Sequence, residues 1–300
     1  TTTTGASGDI SIGTGTASAG DGGDISIVVG DGNVLDGGHI YLYAGKSNAD
    51  GTKDATGGSI SMISGFGTKS TSGTIIIRTL NAGVKGVSGE LVFSTGTTTT
   101  GASGDISIGT GTASAGDGGD ISIVVGDGNV LDGGHIYLYA GKSNAAASTG
   151  DTVTGATGGS ISIISGFGTE STSGTIIIRT LNAGVSGVSG ELVFSTGTTT
   201  TGASGDISIG TGTASTGDGG DISIVVGDGN VLDGGHIYMY AGKSNALGTA
   251  HATGGSISMI SGFGTKSTSG TIIIRTLNAG VKGVSGELVF STGTTTTGAS

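Results

Sequence analysis

The side chains able to do chemistry are few, and they recur in register. Asp21-Gly22-Gly23-Asp24 is followed fifteen residues later by Asp36-Gly37-Gly38-His39. Carboxylates beside glycines offer hard oxygen ligands on a backbone that can close around a cation, which is the donor chemistry calcium prefers. The candidate ligands are Asp21, Asp24 and Asp36, then Asp117, Asp120 and Asp132, then Asp218, Asp221 and Asp233. Against this stands the plainer reading of solvated surface carboxylates. The spacing also departs from the tandem nonapeptides of calcium-binding β-helices, although Gly-Gly-x-Gly-x-Asp is superficially similar. Calcium is the one cofactor to weigh, and the alternative is none.

Other constellations carry less. His39, His135 and His236 are one position repeated three times, so a Ser/His/Asp grouping would be assembled from residues that any such array contains. Gly67-Thr68-Lys69-Ser70 resembles the tail of a phosphate loop, but Lys69 becomes Glu170 in the next copy and the upstream glycine spacing is wrong. Gly13-Thr14-Gly15 is followed by Thr16-Ala17-Ser18, which completes no dinucleotide fingerprint. No enzyme is expected.

The elements that position these residues are repeats. Gly8–Ser103 recurs as Gly104–Ser204 and as Gly205–Ser300, with lengths of 96, 101 and 96 residues, and residues 1–7 match the end of a preceding copy. Both ends fall inside an ongoing array, which suggests a window on a longer protein. The copies differ chiefly at Asp50–Thr56, replaced by Ala145–Thr157 and Ala246–Thr253, where a length-tolerant loop must lie. Within each copy a shorter unit, small-Gly-x-Ile-x-Ile, is anchored on Gly8, Gly23, Gly38, Gly58, Gly73 and Gly89. Once the variable loop is subtracted, every unit is 15 or 16 residues long.

Large aliphatic residues alternate within the unit, as in Asp24-Ile25-Ser26-Ile27-Val28-Val29, which is the period of a strand with one buried face. Glycine density excludes helix. The pattern predicts an all-β fold: a parallel β-solenoid, or β-helix, rod with about 15–16 residues per turn and six turns per 96–101-residue repeat. The inward residues would be Ile10 and Ile12, Ile25 and Ile27, Ile40 and Leu42, Ile60 and Met62, Ile75 and Ile77, Leu91 and Phe93. Gly15, Gly30, Gly45, Gly65 and Gly96 would be corners needing positive φ or close approach, with Leu80 the one departure in that column. Stacked at ~4.8 Å per turn, one copy would advance the rod by ~29 Å.

The outward columns are not uniformly polar. Tyr41, Tyr43, Ile63, Ile76 and Val92 would form an exposed apolar patch, repeated as Tyr137, Tyr139, Ile164, Ile177 and Val193. Contiguous exposed apolar surface usually means a contact, here lateral packing against another copy. The competing reading is that the variable loop after Asn48 folds over the patch, or that a hydroxyl-rich surface tolerates scattered tyrosines.

Composition narrows the class further. The chain holds 68 glycines but no proline, cysteine or tryptophan, and its aromatic content of 4% leaves few large side chains for a conventional core. Collagen is excluded by the missing proline and by the lack of a three-residue period. A net charge of −11 on a chain that is only 11% charged makes nucleic acid and anionic lipid poor partners. No apolar run is long enough for a transmembrane helix. Threonine pairs such as Thr14 and Thr16, with the run Thr97–Thr100, suggest an ice-binding face, but other turns place Asp31, Lys46, Phe66 and Asn81 in the same column. The threonine runs could accept O-linked sugars.

The units Gly-Gly-Asp-Ile-Ser-Ile, Thr-Gly-Gly-Ser-Ile-Ser and Val-Ser-Gly-Glu-Leu-Val-Phe-Ser-Thr-Gly resemble those of giant repetitive proteins of diatoms and related algae. The resemblance covers the whole chain and implies a long, secreted structural or adhesive protein at the cell surface; it transfers no active-site residue. The expected function is a component of an extracellular filament that associates with itself. A calcium-stabilised adhesin stalk and an ice-binding array are the alternatives.

Overall fold

The computed structural model describes residues 6–49, 55–144, 156–245 and 252–295. None of them lies in a helix or a strand. The expected parallel β-solenoid is therefore overturned: the described chain is coil-like, extended segments alternating with bends, and the ~29 Å advance per copy falls with the ladder that defined it. Two units divide the chain, Thr1–Tyr139 and Ala140–Ser300. The first contains the whole of the first copy, and the same local geometry recurs in the second.

The basic unit survives as a closed loop rather than a coil turn. Gly15 C=O accepts from Gly23 N–H at 3.4 Å, Gly30 C=O from Gly38 N–H at 3.1 Å, and Gly65 C=O from Gly73 N–H at 2.9 Å. Bends at Ser18–Gly20, Asn33–Leu35 and Thr68–Ser70 lie inside these loops. Where the loop varies, its base does not: Gly45 to Gly58, Gly141 to Gly159 and Gly242 to Gly255 each close at 2.7 Å, although the middle copy has five more residues between them. The 16-residue unit, which lacks a corner glycine at Leu80, instead makes a β-turn in which Gly83 C=O accepts from Gly86 N–H at 3.1 Å.

Glycine is required at places other than the expected corners. A Cβ on Gly15, Gly30, Gly45, Gly65 or Gly96 would meet nothing within 4 Å, and none of the described glycines has a φ in the left-handed region between +20° and +160°. The crowding is at Gly32 and Gly67 inside the loops and at the unit anchors from Gly23 onward. A Cβ on Gly23 would lie 3.1 Å from Thr14 Cβ, and one on Gly58 would lie 3.4 Å from Ala44 Cβ. On Gly38 it would collide with Val29 Cγ1. The small residue that ends one extended segment thus packs on the glycine that opens the next, and Ser64 with Gly73 and Thr79 with Gly89 repeat the pairing.

No hydrophobic core forms among the described residues. Among the described residues no side chain is buried, and the least exposed positions are Ser64 with Gly67, Ser165 with Gly168, and Ser261 with Gly264. The inward columns are open to water, Ile10 at 92% and Ile12 at 78%. A folded chain of 28.3 kDa would expose about 11,000 Å² and an extended one about 41,000 Å². This one exposes 29951 Å². Ordering a residue costs about 1–2 kcal/mol of backbone entropy, and burial is the main term that offsets it. With so few large side chains per unit the offset is missing, which is why alternation does not become a ladder.

A trace of two-faced character remains. Ile75 and Ile77 are 49% and 47% exposed, while Ile76 between them is 75% exposed. The alternation therefore sorts side chains onto two sides of an extended segment without burying either.

Candidate functional site

The strongest local organisation of side chains is a row of rings on the segment from Gly38 to Ala44. An extended backbone sends residues two apart to the same side, so His39, Tyr41 and Tyr43 share a face. His39 lies 5.7 Å from Tyr41 between ring centroids, tilted by 49°, and Tyr41 stacks on Tyr43 at 6.0 Å and 12°. The row repeats as His135, Tyr137 and Tyr139, with centroids 5.8 and 5.9 Å apart, and as His236, Tyr238 and Tyr240, at 5.7 and 6.1 Å. Closed loops flank it on both sides, Gly30 to Gly38 and Gly45 to Gly58, which fixes where the row begins and ends. The spacing of the tyrosines was legible in the sequence. The inclusion of histidine in the row was missed there, although its position two residues before Tyr41 was the available signal.

The remaining residues of the expected lateral surface are exposed on separate segments. Ile63 stands at the end of the segment before Gly65, Ile76 in the middle of the isoleucine triplet, and Val92 between Leu91 and Phe93. In the second copy Ile164, Ile177 and Val193 are likewise exposed, as are Tyr137 and Tyr139. Most of the variable loop that could cover the patch lies, with His251, outside the described residues.

The candidate calcium ligands sit on two different loops. Asp21 and Asp24 flank the Gly15-to-Gly23 closure, whereas Asp36 belongs to the Gly30-to-Gly38 loop, where a Cβ on Gly32 would strike the Leu35 and Asp36 carbonyls. Among the described residues no three His, Asp or Glu side chains come together as a metal site, so neither this set nor Asp117, Asp120 and Asp132, nor Asp218, Asp221 and Asp233, converges.

Threonine has an unforeseen part. Thr14 Oγ1 donates to Gly23 C=O at 2.7 Å, and Thr110 and Thr211 donate to Gly119 and Gly220 at 2.8 and 2.9 Å. These hydroxyls clamp the loop that their own unit leads into. Thr98 donates to Gly101 C=O and Thr199 to Gly202 C=O across the shorter bend of the threonine run. An open depression of about 440 Å³ is lined by Arg78, Thr79, Leu80 and Asn81, at the unit that lacks the corner glycine.

No protein-family model, curated protein or solved structure matches the chain. Among the described residues no helix is long and apolar enough to cross a membrane.

Proposed function

We propose that the chain is a structural component of a long extracellular filament or fibre, of the giant repetitive kind its units resemble, and that it works by associating with further copies of itself. One observation carries this: the same apolar side chains are exposed in every copy, Tyr41, Tyr43, Ile63, Ile76 and Val92 first among them, and no hydrophobic side chain among the described residues is buried. Apolar area in water costs roughly 25 cal/mol per Å² relative to burial, so contact between chains is favourable wherever these surfaces meet. Near-identity of the copies favours it too, since any copy can meet any other. No catalytic role is assigned. The acidic, hydroxyl-rich remainder keeps the chain hydrated between contacts and suits a cell-surface or secreted setting.

Calcium has no part in this reading, because contact between tyrosine- and isoleucine-bearing segments needs no cation. The ice-binding alternative is weakened because the Thr14 hydroxyl is already donated to Gly23 C=O. Light scattering and negative-stain electron microscopy across a concentration series test the proposal. The expected result is concentration-dependent filaments that are lost when Tyr41, Tyr43 and Ile76 and their counterparts are changed to serine. A chain that remains dispersed at every concentration would overturn it.

A further inference from the structure

We infer that the three Tyr-x-Tyr pairs are sites of oxidative cross-linking between chains, coupling phenol rings to give dityrosine when a peroxide and a haem peroxidase are supplied. The inference rests on the self-association proposed above, to which it adds a covalent step at a defined place. All six tyrosines of the chain lie in these pairs, Tyr41 with Tyr43, Tyr137 with Tyr139, and Tyr238 with Tyr240.

Composition makes them the destination of one-electron oxidation. Cysteine and tryptophan, the other side chains that readily give up one electron, are both absent. The three methionines are oxidised by oxygen-atom transfer to the sulfoxide, which leaves no radical to couple. With no cysteine in the sequence, disulfides cannot join its chains. Phenol coupling is the covalent route that the composition leaves.

Geometry makes the pairs accessible and directs the bond outward. Tyr43 is 85% exposed and Tyr41 68%. Within a pair the rings are stacked, 6.0 Å apart and 12° from parallel, so they present π faces to each other and not the ortho carbons that must join. Both side chains are largely exposed, so a ring of another chain can reach them. The chemistry balances without a metal in this chain. Each of two tyrosines loses one electron to the peroxidase and one proton to water, and the peroxide takes up two electrons and two protons to become two molecules of water. The two radicals form a carbon–carbon bond between ortho positions. The ring hydrogens at the new bond then move to the phenolic oxygens, restoring both phenols, with a net loss of two hydrogens.

The test uses the full 300-residue chain with a haem peroxidase and hydrogen peroxide, read by denaturing gel, dityrosine fluorescence and mass mapping, with light scattering to follow association separately. The expected result is a ladder of covalent oligomers whose cross-linked peptides contain Tyr41 or Tyr43, or their counterparts, and weigh two hydrogens less than their sum. The variant with all six tyrosines changed to phenylalanine keeps the rings and so should still associate, but it should form no ladder. Dityrosine found only within one chain, or a wild-type chain that scatters as an assembly yet runs as a monomer after oxidation, would overturn the inference. If light scattering finds no association but the ladder still forms through these pairs, the filament proposal fails and the cross-linking site stands.

Discussion

At the scale of single residues, the repeat is held by pairs of a small side chain and a glycine. Gly38 and Gly32 admit no Cβ, whereas Gly30, whose carbonyl accepts the loop-closing bond, has open space. Gly30→Ala should therefore leave the closure intact and favour it slightly, by about 0.4–1 kcal/mol through a less mobile open chain. Gly32→Ala should break it. Amide hydrogen exchange at Gly38 separates the two: protection is kept in the first variant and lost in the second, and the opposite order would contradict the steric account. Thr14 offers a second check. Thr14→Val keeps the shape but removes the hydroxyl that donates to Gly23 C=O at 2.7 Å, a loss of about 0.5–1.5 kcal/mol. Opening of the Gly15-to-Gly23 loop should rise several-fold while the Gly30-to-Gly38 loop, which has no such clamp, exchanges as before.

At the scale of elements, the sequence was legible in its punctuation and misleading in its ladder. The anchors Gly23, Gly38, Gly58, Gly73 and Gly89 each open a unit, and the small column of Thr14, Val29, Ala44, Ser64 and Thr79 meets them one by one. Exposure alternates at Ile75, Ile76 and Ile77 but not at Val92 and Phe93, both 64% exposed, so alternation did not sort every segment. What alternation cannot encode is whether neighbouring segments pair. Pairing requires backbone bonds whose ordering cost is offset by buried area, and at Ile10 and Ile12 that area is absent. The corner glycines misled for a related reason: their spacing reflects a carbonyl that must accept a bond, a task any residue could do. The ring row was half read: the tyrosines were recognised by spacing, whereas His39, at the same two-residue interval, was recognised by its contact with Tyr41. Because the closure at Gly45 and Gly58 is the same 2.7 Å in copies with short and long loops, exchanging Asp50–Thr56 for the longer Ala145–Thr157 should leave the circular dichroism and the Gly58 amide protection unchanged. A loss of protection would make the loop part of the closure.

At the scale of the whole molecule, the account is of a chain whose apolar side chains are spread along its length, leaving their burial to association. Chelation by EDTA should not shift the concentration at which association sets in, since contact between tyrosine- and isoleucine-bearing segments needs no cation. A shift would give calcium a part in the association. The central claim is that burial occurs between copies and not within one. Hydrogen–deuterium exchange measured as a function of protein concentration tests it most directly. In dilute solution the segments holding Ile25, Tyr41 and Ile76 should exchange as freely as an open chain, with residual protection confined to loop-closing amides such as Gly38 and Gly58. At concentrations where filaments form, those same segments should become protected. Strong protection of Ile25, Tyr41 and Ile76 in the dilute monomer would mean that a single chain builds its own core, and would contradict the account.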